Sequence, residues 1–254
     1  MKKMIFAAAL IAALIPFAAA ADRAPQASLD REVDVRVPAV PAVLGNPRIT
    51  HDTAPKYCKP CLFYAGDFDS NASDANGLAN ELDVIVSTGA EVWVPFVPTA
   101  AWKVTEIFSD NFASLSTLTP ATSPYAIRSG ITSGSGGKVV CHGTAKAKNT
   151  DTGLNDFGYE IYATQVAVKK CTLKKATAKK PYWENVYPQC TNTSTCSDYR
   201  AFTANDDGAM KNKVGPKEPA NDSFFNSVFF GATWEPSSEQ QSSAYFSVGI
   251  GGTK

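Results

Sequence analysis

Two histidines, His51 and His142, are all that this 254-residue chain carries. Neither stands in an H-E-x-x-H pattern or beside a nucleophile, so the histidine-based catalytic templates fail. The G-x-S-x-G pattern is missing. The Gly137-Lys138 pair is no phosphate loop: it lacks a glycine five positions before Gly137, and Val139 follows it in place of Ser or Thr. An excess of one charge is missing too. The 24 Lys and Arg balance 24 Asp and Glu, which argues against a nucleic-acid partner. No window shows a long 3.6-residue apolar period, so helix content should be small. After the first 21 residues no apolar stretch approaches the length of a bilayer span, so no stable membrane insertion is expected.

What is present begins with an export signal. Met1-Lys2-Lys3 is a positive start, Met4 to Leu14 is apolar, Pro16 breaks the run, and Ala18 to Ala21 are small. That order predicts a cleavable signal peptide over residues 1–21 and a secreted protein, extracellular or periplasmic. Without Lys2 and Lys3 the mature chain has 22 basic against 24 acidic residues. Residues 22–57 contain Pro25, Pro38, Pro41, Pro47 and Pro55, which reads as an extended leader or linker. The remaining 58–254 reads as one domain.

All six cysteines lie in the mature part: Cys58, Cys61, Cys141, Cys171, Cys190 and Cys196. An even count in an exported chain predicts three disulfides. In Cys58-Lys59-Pro60-Cys61, no helix pattern follows to activate a thiolate, which favours a small structural loop over a redox dithiol. Zinc held by Cys58, Cys61, Cys190 and Cys196 is disfavoured by the C-x5-C spacing of the second pair. Cys190 and Cys196 bracket a polar loop that they would close. Cys141 and Cys171 are expected to form a cross-strand staple across a hairpin turning in the stretch Asn149–Asn155.

Short runs rich in Val, Ile, Tyr, Phe, Trp and Thr recur between clusters of Gly, Pro, Asn, Asp and Ser. Strands are expected near 83–87, 91–97, 102–108, 125–129, 138–148, 158–168, 182–187, 224–230 and 244–250, which makes an all-β sandwich. In 138–148, alternation turns Val139, Cys141, Gly143, Ala145 and Ala147 inward, and Lys138, His142, Thr144, Lys146 and Lys148 outward.

Three features suggest ligands. Oxygen-bearing side chains at Asp67, Asp69, Asn71 and Asp74 suit a structural Ca²⁺ site. They do not form an EF-hand, because Ala72 stands where the turn glycine belongs and Leu78 where the bidentate Glu belongs. Tyr182, Trp183 and Trp234 are candidates for a stacking platform under sugar rings. Finally, nine lysines crowd 138–180 against Asp151, Asp156 and Glu160. Such a patch attracts an anionic polymer or lipid headgroup, or simply guards a strand edge against aggregation.

Several segments also carry a resemblance: Trp102-Lys103-Val104-Thr105, Tyr125 to Gly130, the Gly-rich Gly130–Gly137, Lys138-Val139-Val140 and Pro181-Tyr182-Trp183. Together they resemble the jelly-roll accessory domains of secreted peptidases (the pre-peptidase C-terminal type) and carbohydrate-binding sandwiches. Lys180-Pro181 departs from the usual small-Gly pair. The run Tyr64–Asp69 is similar to one in secreted bacterial proteins of unknown activity. The resemblance implies a jelly-roll sandwich and an extracellular place. The export signal, the strand pattern and the failed catalytic templates point to a non-enzymatic binding or surface-structural module whose expected partner is a glycan or cell-envelope polymer. A carboxylate- or metal-dependent hydrolase of polysaccharide or ester is the alternative.

Overall fold

Period-two alternation and frequent turn residues give strands and almost nothing else. The computed structural model describes residues 54–68, 77–83, 88–113, 122–156, 159–186, 188–190, 201–203, 213–216, 222–228, 230–240 and 246–254. The expected signal peptide and all but the last residues of the expected leader lie outside them. Among the described residues the strands are β1 (Cys61–Tyr64), β2 (Leu78–Ala79), β3 (Glu81–Asp83), β4 (Thr88–Phe96), β5 (Trp102–Ala113), β6 (Ser123–Ser129), β7 (Lys138–Ala145) and β8 (Ala147–Asp156). They continue with β9 (Tyr159–Leu173), β10 (Tyr182–Val186), β11 (Gln189–Cys190), β12 (Ala201–Thr203), β13 (Phe224–Ser227), β14 (Ala232–Pro236) and β15 (Val248–Thr253).

They form two packed sheets, a β-sandwich. The first has the order β1-β15-β5-β12-β2, with β9 also on β5 and β8 on β9. The second has the order β11-β3-β4-β10-β6-β7, with the β13–β14 hairpin on β4. All pairings are antiparallel except β11 with β3. This order establishes the sandwich without making it a jelly roll.

Between the sheets lie Val94, Phe96, Trp102, Val104, Ile107 and Ile127, all at most 1 % exposed. Each such large side chain contributes roughly 1.5–3 kcal/mol on burial. A polar seam crosses the same interior. Asn185 donates to Asn80 Oδ1 at 2.8 Å, Asn80 donates to the Val186 carbonyl at 3.0 Å, and Ser109 donates to that carbonyl at 2.6 Å. On the other side of Ser109, Asn111 donates to Ser109 Oγ at 2.8 Å. Buried amides are tolerated when they find partners in this way.

Three expectations change in detail. The stretch 149–155 is strand rather than hairpin turn: Asp151 pairs with Tyr162 and Asn155 with Glu160. Its turn-forming residues make a bulge, in which Asp151 Oδ1 accepts from Gly153 N at 2.7 Å and Gly153 has φ 77°. Val139 does not point inward. Ile127 pairs with Cys141 and Arg128 with Val139, so Val140 is an extra residue that flips the phase, and Val139 is 37 % exposed. Finally, Cys141 and Cys171 do bond, but β7 and β9 belong to different sheets, so the disulfide is an inter-sheet staple with Cα atoms 5.7 Å apart. The reason is that the chain changes sheet at Lys146, between β7 and β8.

Cys58 and Cys61 form the second disulfide, around a cis Lys59-Pro60 bond. Cys196 and the side chain of Cys190 lie outside the described residues. Two disulfides fit an oxidising compartment, and no helix among the described residues is long and apolar enough to cross a membrane.

The two bridges close loops of different length, with sequence separations of 30 and 3. Removing Cys141–Cys171 by double serine substitution should cost about 3.5 kcal/mol of unfolding free energy, and removing Cys58–Cys61 about 2. Denaturant unfolding of both variants checks the order.

Candidate functional site

The outer face of the second sheet carries residues of β4, β10 and β6 in register. Trp183 pairs with Arg128 on one side and Pro95 on the other, and Trp93 pairs with Phe224. Alternation therefore brings Trp93, Trp183, Arg128 and Phe224 to one side. Trp93, Ile131, Trp183 and Phe224 form a buried cluster, with Ala126 and Trp234 packed against it.

Arg128 lies against two indoles that also touch each other. Its guanidinium is 5.0 Å from the Trp93 ring centroid and 4.9 Å from that of Trp234, and the two rings are themselves 5.6 Å apart. Cation–π contacts shielded from water in this way are worth about 1–2 kcal/mol each. Arg128 also donates to the Gly136 carbonyl at 2.9 Å, while its buried Nε has no hydrogen-bond partner.

Trp234 is held by unusual backbone. It has φ 51°, rare for a bulky residue, and its carbonyl accepts from Gly134 N at 3.1 Å. Gly136 makes room for its ring, since a Cβ there would stand 2.4 Å from the indole. Strain of this kind persists where the surroundings over-determine it, and it clusters at ligand sites.

Beside this stack runs an open groove of about 350 Å³, lined by Glu91, Trp93, Arg128, Val139, His142 and Thr144 among others. Glu91 Oε2 accepts from Trp93 Nε1 at 3.1 Å and from Asn226 Nδ2 at 3.3 Å. His142 and Thr144 are exposed on β7, as the alternation of the sequence predicts. An acid, a pinned guanidinium, an imidazole and a hydroxyl thus share one concave surface with aromatic walls, which is the usual make-up of a small-ligand site.

The sequence-predicted aromatics separate. Trp234 is half-buried behind the groove, packed against Trp93, which lines it. Trp183 is 3 % exposed and its Nε1 points to the Asp222 carbonyl at 3.5 Å, so it supports the site from beneath and cannot stack on a ligand. Tyr182 faces the other side, its ring 6.0 Å from Phe96 at the end of the inter-sheet core. Glu91, Trp93, Arg128 and His142 belong to the site without having been chosen for it. The alternation of 138–148 turns His142 outward, whereas the contact of Arg128 with two tryptophans far away in sequence leaves no local pattern.

Of the calcium candidates, Asp69, Asn71 and Asp74 lie outside the described residues. Asp67 accepts from the Tyr64 hydroxyl at 2.8 Å. That hydroxyl also lies 3.2 Å from Asp110 Oδ2, which accepts from Ser247 Oγ at 2.6 Å. Among the described residues no three His, Cys, Asp or Glu side chains are placed to hold a metal.

Asp110 is fully buried on the outer side of the first sheet, under the segment 54–68. Burial pushes its carboxyl up to about 7, against the pull of Ser247, and the nearby Asp67 charge pushes the same way. Glu184, between the sheets, has neither carboxyl oxygen hydrogen-bonded, and burial raises it well above the usual carboxylate range. Both acids hold a proton more tightly in the folded than in the unfolded chain. Their stabilisation is full below about pH 4 and is lost as the pH rises through the folded value, near 7 for Asp110. The melting midpoint should therefore fall between pH 5 and about 8, and Asp110→Asn should flatten that fall by up to about 4 kcal/mol. Glu184→Leu should raise the midpoint at about pH 8, where the buried acid is most costly. Thermal melts across pH check both.

Compared with known proteins, the chain matches no family model, no curated protein and no solved structure, so its chemistry is read from this geometry.

Proposed function

We propose that this protein is an exported, non-enzymatic binding module whose ligand is a glycan or cell-envelope polymer, held in the groove on the outer face of the second sheet. The Trp93–Arg128–Trp234 stack carries this reading. It fixes a cation and an indole at the mouth of an open groove, with Glu91, His142 and Thr144 to accept and donate hydrogen bonds to hydroxyl groups. An open groove suits a chain, which can enter and leave along its length. The two disulfides support an extracellular or periplasmic setting.

Arg128→Ala removes a guanidinium that lines the groove and should weaken glycan binding at least about ten-fold, the loss of a charge-assisted hydrogen bond to the ligand. Trp234→Ala, which frees that guanidinium from one of its two indoles, should weaken it by a smaller factor. A glycan array and an envelope pull-down identify the ligand, and titration of the variants gives the affinities. Unchanged affinity in both variants would remove the groove from the reading. Failure of the wild-type protein to bind any glycan or envelope fraction would remove the binding module itself. Reproducible turnover of a polysaccharide or ester, with or without Ca²⁺ or Zn²⁺, would put the hydrolase in its place.

A structural Ca²⁺ ion at Asp67, Asp69, Asn71 and Asp74 is a separate proposal, supported by their spacing. EDTA should lower the melting midpoint if the ion is bound, because a ligand of the native state stabilises it. An unshifted midpoint disposes of it.

A further inference from the structure

The lysines that crowd one part of the sequence gather in space as well. Lys103 on β5 pairs with Thr172 on β9 and with Thr253 on β15. Tyr182, at the start of β10, pairs with Phe96 and Ser129, and Ser129 pairs with Lys138. These registers put the start of β5, the end of β9, the end of β6 and the start of β7 at one end of the sandwich. The connection from β9 to β10 crosses from the first sheet to the second over that end. It is fixed by Ala176 N donating to the Pro98 carbonyl at 2.9 Å and by a tight turn in which Thr177 pairs with Lys180. On this connection sit Lys174, Lys175, Lys179 and Lys180, all exposed.

Next to it, β9 bulges. Glu106 pairs with Ala167 and Val104 with Cys171, so 168–170 stand opposite a single residue of β5. Lys170 takes φ 56° there, and Lys169 and Lys170 both point into solvent. Among the described residues, the segments 96–104, 129–140, 168–182 and 250–254 at this end contain no Asp or Glu. The acids next to them are Glu106, which pairs with Gly251 and Ala167, and Glu235, beside the Trp234 whose carbonyl accepts from Gly134. Glu160, by contrast, lies at the opposite end of β9.

Edge protection explains only some of these lysines. β7 and β8 are edge strands, each paired on one side, and Lys138, Lys146 and Lys148 on or between them guard those edges. The four on the β9–β10 connection guard no strand edge. The connection 174–181 carries no Asp or Glu of its own, so the field of its four positive charges adds up in one direction, which attracts a polyanion. They are all lysine, each a hydrated point charge without the planar fork that grips one phosphate or carboxylate. Such a surface favours a long chain with repeated negative groups over a single small anion. Among the described residues it also lacks a row of exposed aromatics of the kind single-strand nucleic-acid binders stack on: Trp102 at this end is wholly buried and the half-buried Tyr182 packs on Phe96. A membrane wedge is missing as well: the exposed large apolar side chains near this end are Val139 and Val140, each under two-fifths exposed.

We infer that this lysine end is a docking surface for an acidic polysaccharide, separate from the groove and independent of what the groove binds. The charge carried by the polymer, sulfate or carboxylate, is left to the probe. The experiment measures binding of the purified full chain to heparin and to polygalacturonate across a salt series. Dextran, duplex DNA and phosphatidylserine–phosphatidylcholine vesicles serve as comparisons.

Two variants carry the same change in net charge. K174Q/K175Q/K179Q/K180Q removes four positive charges from the connection, and K146E/K148E reverses two at the edge corner. The first should weaken binding at least about ten-fold and lower the salt slope by up to about one unit per lysine. The second should stay within about three-fold of wild type if proximity to the connection, and not net charge, governs binding. Melting midpoints of both variants report folding. Failure of the wild-type chain to bind either acidic polysaccharide at low salt overturns the inference, as does equal weakening by the two variants. Tighter binding to DNA or vesicles than to the polysaccharides also overturns it and reassigns the surface. K174Q/K175Q/K179Q/K180Q should keep the wild-type affinity for a neutral glycan that the groove binds, so the groove reading and this one fail separately.

Discussion

Holding two sheets together through a strand that leaves one for the other is the constraint on which the rest of this molecule depends. The chain runs through β7 in the second sheet, turns at Lys146, and enters the first sheet as β8. The Cys141–Cys171 bond then ties β7 to β9 across the interior. A strand that switches sheets makes a corner. This corner fixes which faces look outward and leaves β7 as the edge that forms one wall of the groove. The same arrangement sends the β9–β10 connection over the end where the lysines gather. The seam of Asn80, Asn185, Ser109 and Asn111 adds a second tie whose hydrogen bonds specify alignment as well as contact.

Both sheets are covered on their outer faces, and the cover differs. On the first sheet, Tyr57, just before β1, and Tyr64 at the end of β1 pack their rings against Phe108 on the outer face. Asp110 is sealed beneath them with two tyrosine hydroxyls and Ser247. Over the second sheet, the Gly-rich turn and β14 bring Ile131 and Trp234 down onto Trp93 and Trp183. This second cover is incomplete, and the groove is the uncovered remainder. The buried acids belong to stability: Glu184 has no hydrogen-bond partner and is tolerated as the neutral acid, since an unpaired charge between two apolar sheets would be far costlier.

Groove and lysine end are neighbours along β6 and β7. Arg128 pairs with Val139 in the groove wall, and the next pair, Ser129 with Lys138, belongs to the basic end. One surface therefore grades from an aromatic-walled groove with a single pinned guanidinium into a field of unpaired ammonium groups. The two ends of this gradient recognise different chemistry: hydroxyl-rich rings by stacking and hydrogen bonds, repeated negative charge by long-range attraction.

The sequence by itself determined the strand-rich class, because period-two alternation and turn residues act over a few neighbours. It turned His142 outward and pointed to Cys58–Cys61 and Cys141–Cys171 among the possible pairings, the latter on a hairpin that the fold does not make. It also exposed the lysine cluster as a charge density along the chain. Tertiary structure decided where single residues broke the pattern. The extra residue Val140 turned Val139 to the groove, a bulge used the turn-forming Asp151 and Gly153 inside a strand, and the change of sheet at Lys146 made an inter-sheet staple of an expected cross-strand one. Trp183 and Trp234 are alike as residues, yet neighbouring segments bury one and hold the other half-buried on a positive-φ backbone. Arg128 acquired its role from Trp93 and Trp234, which lie far from it in sequence. Alternation is a local property and can be read locally, whereas burial, stacking and the summed field of distant charges depend on which strands become neighbours.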